Sequence, residues 1–118
     1  KNSSFESYKI YSAIAEFENG VTSKDIYNIE KLKTIDQRTP IRVEHRRADL
    51  IRTREIKNIE VERINSKKLH LIIKCQGGLY IKELISGDNN RTKPSVSSIT
   101  NNQAECTQLD VLKVHIPE

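Results

Sequence analysis

The sequence predicts an α+β fold: a mixed, largely antiparallel sheet with short helices. Three observations carry this. Five or six strand-like stretches and two or three short helical ones follow one another without regular alternation, which argues against a doubly wound α/β arrangement. Two of the strands, Ile56–Ile64 and Leu69–Cys75, flank Asn65-Ser66-Lys67-Lys68 as the arms of a hairpin do. No internal repeat or low-complexity segment interrupts the pattern.

Taken in order, Tyr8–Phe17 alternates like a strand, with Tyr8, Ile10 and Ile14 on one face and Tyr11, Ala13, Ala15 and Phe17 on the other. Asn19-Gly20 marks a turn. Ser23 is placed to cap a short helix carrying Ile26, Ile29 and Leu32, with Lys24, Lys31 and Lys33 outside. Pro40 cannot donate a backbone hydrogen bond and suits the start of a strand in which Ile41, Val43 and His45 share a face. The hairpin follows. Lys82–Ser86 reads as a short helix that Gly87 terminates. Asp88–Lys93 is a polar loop, and Pro94 fits the first turn of a helix running to Ile99. Cys106–Ile116 closes the chain as a strand whose alternation breaks at Val111-Leu112, the mark of a bulge.

A chain of 118 residues is one domain or a piece of one. It opens on Lys1 and holds no methionine, as expected of a fragment or a processed chain. A net charge of +4 permits a polyanionic partner without demanding one. No apolar run approaches the ~20 residues of a membrane span, and no signal-peptide pattern is visible. Cys75 and Cys106 fall in different apolar strands and are expected as free buried thiols of a reducing, intracellular compartment, nucleus or cytoplasm. Neither belongs to a C-x-x-C pair, so no zinc site is expected. His45, His70 and His115 lack ligand spacing and read as strand residues. No phosphate-binding glycine loop, dinucleotide fingerprint or metalloprotease helix is present.

The chemically suggestive stretch is Gln76–Asp88. An apolar strand ends in Gly77-Gly78, where the backbone can bend sharply or let another group approach. Tyr80 and Lys82 then lie two positions apart and share a face if the chain stays extended. The plain alternative is a strand, a glycine turn and a core tyrosine. A second cluster is arginine-rich: residues 38, 42, 46, 47, 52 and 54. Guanidinium groups bind phosphate bidentately, so the strip suits an RNA backbone; it equally suits a charged surface paired with Asp36, Glu44 and Asp49.

Gly78-Leu79-Tyr80-Ile81-Lys82-Glu83-Leu84 resembles the strand-to-helix motif G-x-Y-[IL]-[RK]-x-L of pseudouridine synthases. The longer string Gln76–Asp88, continued by Arg91-Thr92-Lys93-Pro94-Ser95-Val96, is similar to the archaeal and eukaryotic tRNA-modifying branch of that family. So are Gln37–Val43, His45–Arg52 and Leu109-Asp110-Val111-Leu112, in order along nearly the whole chain. The resemblance implies isomerisation of uridine to pseudouridine in the TΨC arm of tRNA, with no metal or organic cofactor. Lys9-Ile10-Tyr11 resembles the family's K-x-Y strand, so Tyr11 would stack on the flipped uracil, with Tyr8 as a nearby competitor. Tyr80 would line the pocket, and Lys82 would pair with a nucleophilic aspartate. The catalytic pair in this chain is then Lys82 and Tyr11, and the implied RNA-binding residues are Tyr11, Tyr80, Arg46, Arg47 and Arg91.

One departure matters. The family's aspartate lies in a G-R-x-D-like loop upstream of the K-x-Y strand, whereas only ten residues precede Tyr11 and none is Asp. Arg47-Ala48-Asp49 lies after that strand, and Asp49 reads as structural. Residues 1–118 are therefore expected to be the C-terminal portion of a catalytic domain, inactive alone, with the nucleophile on the upstream part of the same polypeptide. The alternatives are an RNA-binding module of the same fold without catalysis, and a structural or interaction domain.

Overall fold

In the computed structural model, which describes residues 8–115, the first strand β1 spans Tyr8–Phe17. Tyr11, Ala13, Ala15 and Phe17 are all buried, so the alternation read from the sequence sets the inward face. Helix α1 covers Ser23–Glu30. Its cap is Thr22 rather than Ser23: Thr22 Oγ1 accepts from the Asp25 N–H at 3.1 Å, and Asp25 Oδ2 accepts from the Thr22 N–H at 3.0 Å. That reciprocal pair satisfies two otherwise orphaned donors. Ile29 is buried on the helix and Leu32 just beyond it.

The largest difference from expectation follows. Strand β2 is Thr34–Arg38, upstream of Pro40. Residues Ile41–Val43 after Pro40 form a single 3-10 turn, and His45 falls in the turn after it, not in a strand. The reason is pairing. Strand β3, Ile51–Asn65, runs antiparallel to β2, and their register ends at Arg38 opposite Ile51. Residues 39–50 are the connection between the two strands, so an extended segment there has no partner.

Strand β4, Lys68–Gln76, completes the expected hairpin with β3. Leu69, Leu71, Ile73 and Cys75 are all fully buried. A register shift between Ile56 and Asn58 lets Ile56 and Ile59 both point inward despite their odd spacing. Helix α2 is Ile81–Ser86, closed by Gly87 at φ +89°, where a left-handed residue is needed. Strand β5 is the pair Thr92–Lys93, within the stretch read as loop, and it pairs with Asp36 and Gln37 of β2. Helix α3, Val96–Thr100, is capped by Ser95 with Ser98, so Pro94 stands outside it. Strand β6, Ala104–His115, begins earlier than expected and breaks register against β1 at Leu112, as the sequence anticipated. The last residue of the strand expectation, Ile116, lies outside the described residues.

The sheet order is β5-β2-β3-β4-β1-β6, and every pairing among the described residues is antiparallel. The inward faces of β1, β3 and β4 meet Ile29, Leu84, Ile85 and Val96 from the three helices in one core. Cys75 and Cys106 are both free thiols; Cys75 is buried and Cys106 half-buried.

Burial pushes the Cys75 thiol from 9.0 up to about 12 and lifts the neighbouring Tyr11 hydroxyl above 10.0. Above pH 9 the unfolded chain releases the Cys75 proton while the folded chain keeps it to about 12. The thiol's contribution is whole below pH 9 and is lost as pH rises between 9 and about 12. Thermal melts across that window should show a steeper alkaline loss in the native sequence than in Cys75→Ala.

Candidate active site

Strand β4 leaves the sheet at Gln76, whose Oε1 accepts from the Glu55 N–H at 3.0 Å. Gly78 has φ +96°, and a Cβ there would lie 2.9 Å from Arg54 Nε. The positive φ strains any side chain there, and a Cβ would also displace the Arg54 guanidinium, so the close-approach glycine of the pair is Gly78; a Cβ on Gly77 would meet nothing within 4 Å. Leu79 is buried, and Tyr80 follows as the extended cap residue of α2.

Tyr80 is held by a side chain from another strand. Gln37 of β2 is only 3% exposed. Its Nε2 donates to the Tyr80 carbonyl and its Oε1 accepts from the Tyr80 N–H, both at 2.9 Å. The amide thus does for Tyr80 what a neighbouring strand's backbone does within a ladder. Nε2 also reaches Thr92 Oγ1 at 3.3 Å, tying in β5.

These constraints bring Tyr80 and Lys82 to one cleft of about 340 Å³ together with Tyr11 and Leu109. The chain is extended at Tyr80 and helical at Lys82, yet both side chains line the same space. Arg42, Arg47, Arg52 and Arg54 form the basic part of the wall, and Gly78, Leu79 and Ile81 complete it. No carboxylate lines it among the described residues. Lys82 is exposed, and its ammonium has no ion pair or hydrogen bond among the described residues. Tyr11 is buried against the sheet, and burial, reinforced by Cys75, holds its hydroxyl protonated beyond the ordinary range. Tyr8 lies on the opposite face, with the Lys74 and Lys57 ammoniums 4.4 and 5.3 Å from its ring centre. Tyr11, not Tyr8, therefore faces the cleft.

The other arginines named from the sequence are placed differently. Arg47 lines the cleft; Arg46 is exposed and does not. Arg91 is committed to the fold: its side chain is 14% exposed, and Nε and Nη2 donate to the Thr39 carbonyl at 3.0 and 2.7 Å. Asp88, Asp49 and Glu44 surround it at 3.7, 3.6 and 3.8 Å. Asp49 sits outside the cleft, accepting a two-pronged bond from Arg38 at 2.9 and 2.7 Å. That bond, more than any other influence, holds the Asp49 carboxyl below its ordinary value. Arg42, Arg52 and Arg54 belong to the site as members of the basic strip not named among the binding residues, and Leu109 and Gln37 belong to it with no role assigned from sequence. The arginines lay in the basic strip, but a strip does not show which members are free.

A roomier hollow of about 660 Å³ lies by the C-terminal end of α2, lined by serines, asparagines, Asp88 and Glu105. Its polar groups largely bond one another: Ser97 Oγ donates to the Ile85 carbonyl at 2.8 Å, and Asn102 Nδ2 to the Asn19 carbonyl at 2.8 Å. It has no aromatic wall and no cationic lining, so the Tyr11 cleft is the candidate site.

The family model described as "Pus10, C-terminal" matches residues 1–115. The chain belongs to the Pus10 family. It is 99% identical over its full length to the tRNA pseudouridine synthase Pus10 of Methanosphaera stadtmanae and 56% identical over 117 residues to that of Methanothermobacter marburgensis. It spans 29% of the length of each. Among solved structures, a Cbf5-Nop10-Gar1 complex contains a chain that matches with TM-score 0.73 at 23% identity, over 91% of this chain and 30% of that one. An H/ACA RNP bound to a substrate RNA matches with TM-score 0.67 at 18% identity, over 90% of this chain and 28% of that one. These likenesses show the fold: the antiparallel sheet with short helices is shared with a chain of each of those complexes.

The Gln37 clamp in this Pus10-family chain is directly testable. Gln37→Leu keeps the volume and strands the Tyr80 N–H, worth roughly 1–3 kcal/mol when buried without a partner, while the Tyr80 carbonyl keeps the bond it accepts from the Leu84 N–H at 3.0 Å. Urea unfolding should show a loss of roughly 1–3 kcal/mol, a larger effect than the same change at the exposed Gln108.

Proposed function

We propose that this chain is the C-terminal portion of the catalytic domain of a tRNA pseudouridine synthase that converts uridine to pseudouridine in the TΨC arm. The observation that carries this is the convergence of Tyr11, Tyr80 and Lys82 with four arginines in one cleft. The family and its relatives support the same reading. A base undergoing chemistry must leave its stack and be held in a pocket. Tyr11 offers the ring that stacks on the uracil, Tyr80 a second wall, and the arginines contacts for the phosphates around the flipped nucleotide.

The reaction needs a nucleophile, and no carboxylate lines the cleft among the described residues. The relatives extend well beyond the length of this chain. In this reading an aspartate from that further sequence enters beside Lys82, whose uncommitted ammonium keeps the carboxylate ionised. The aspartate attacks the nucleotide, the C–N glycosidic bond breaks, and the uracil turns within the stacked pocket. A C–C bond to the sugar then forms as the bond to the aspartate breaks and its carboxylate is released; the proton on that carbon is lost and the ring nitrogen freed from the sugar takes one up. No external oxidant or reductant is required. The protein works inside the cell, where its tRNA substrate is.

Tritium release from labelled tRNA tests this in the full-length protein. Lys82→Met should abolish turnover, and Lys82→Arg should retain part of it, since the charge survives but the planar fork needs different room. Tyr11→Ala should lose a stacking contact worth roughly 1–3 kcal/mol and slow turnover in proportion, with Tyr11→Phe much milder. The isolated chain should be inactive. Full turnover by Lys82→Met would remove the cleft from the mechanism.

A further inference from the structure

Arg42 stands in the wall of the Tyr11 cleft, held by a carboxylate that does not itself line that space. Its Nε donates to Glu83 Oε2 at 2.7 Å and its Nη2 to Oε1 at 3.3 Å. Glu83, on α2, is buried with its side chain 7% exposed; the Arg42 side chain, on the turn between β2 and β3, is 50% exposed. The guanidinium also lies over the Tyr80 ring, 5.8 Å from its centre. Two bonds along one edge fix the plane of the group. Nη1, with its two N–H donors, is on the far side from Glu83 and has no hydrogen-bond partner among the described residues.

We infer that Arg42 is a phosphate ligand for the RNA in the cleft and that Glu83 is its positioning residue. This rests on the reading of the cleft as an RNA site. Phosphate is the anion an RNA offers, and Arg47, Arg52, Arg54 and Lys82 crowd the same wall without a lining carboxylate among the described residues. Buried Glu83 requires a cation, so folding fixes Arg42 before RNA arrives, and binding then orders one side chain fewer. Lysine cannot replace it, because one ammonium does not combine a planar grip on Glu83 with donors aimed at the cleft.

The sign of one effect decides the matter. If Glu83 were only a nearby negative charge, removing it would strengthen RNA binding. If it positions Arg42, removing it weakens binding. Anisotropy titrations of a fluorescein-labelled tRNA transcript with the full-length protein measure this. Arg42→Gln should weaken binding on the order of tenfold and flatten the slope of log K against log salt by roughly 0.7–0.9. Glu83→Gln, despite making the protein more positive, should weaken binding severalfold, and should add no further loss in the Arg42→Gln background. Arg42→Lys, which preserves the charge should the other variants melt early, should bind nearly as weakly as Arg42→Gln. Tighter or unchanged binding by Glu83→Gln, or native affinity in Arg42→Lys, overturns the assignment while leaving the RNA reading intact. A wild-type protein that does not bind the transcript overturns both.

Discussion

The site depends on one buried amide. Gln37 lies on β2, two strands away from β4, yet its side chain fixes the backbone of the residue that β4 delivers to the cleft. Residues 77–80 have left the sheet and have no ladder of their own. Without a substitute partner, the Tyr80 N–H would be a donor left to find water, while its carbonyl would keep only the bond from the Leu84 N–H. With Gln37 in place, Tyr80 is registered to β2, and so is the loop 39–50 that grows from the same strand and carries Arg42 and Arg47. The aromatic wall and the cationic wall therefore share one mechanical reference.

The arginines divide by what they are bonded to. Arg38 is spent on Asp49, and Arg91 on the Thr39 carbonyl amid three carboxylates. These bonds shape the 39–50 loop. The Arg38–Asp49 pair is half-exposed and contributes little by itself, as solvent-screened pairs do. Arg91 is more enclosed, and a carbonyl that accepts two of its N–H groups is a firmer anchor. What remains toward the cleft is Arg47 and Lys82, with Arg52, Arg54 and Arg42 partly engaged. Arg54 Nε is buried without a hydrogen-bond partner among the described residues, beside Gly78. A strand exit that favours glycine and an arginine packed against the same backbone are one packing solution.

Much of the fold was legible because its strands obey simple rules. The inward faces of β1 and β4 follow strict alternation, and the β6 bulge announced itself at Val111-Leu112. The failures have specific causes. Strand β2 hides its pattern behind Gln37, a polar residue in a core position, so Ile35 has no apolar companion two residues on. The stretch Ile41-Arg42-Val43-Glu44-His45 mimics a strand, but alternation says nothing about whether a partner strand is within reach. Strand β5 is two residues long, too short for any period. At the site, Tyr11, Tyr80 and Lys82 came from motif resemblance, and the structure brings all three together. Arg91 looked like part of a binding motif because its neighbours in sequence do; its burial is a tertiary fact. The free and committed arginines of the 38–54 strip are indistinguishable by spacing: Arg38 bonds Asp49, 11 residues on, whereas Arg42 bonds Glu83, 41 residues away.

The protonation of Tyr11 joins the fold to the chemistry proposed for it. A ring meant to stack on a base among phosphates works only as the neutral phenol, because a phenolate would repel the backbone that the arginines attract. Tyr11 sits on the inward face of β1, in register with Ile73 of β4 and near the buried Cys75 thiol. Desolvation there, more than any single charge, holds its proton. Lys82 has the opposite surroundings: it is exposed at the start of α2 and uncommitted among the described residues, so its charge remains available to a carboxylate brought from elsewhere. One side of the cleft is a buried phenol and the other an exposed ammonium, and the boundary between them is the line where β4 gives way to α2.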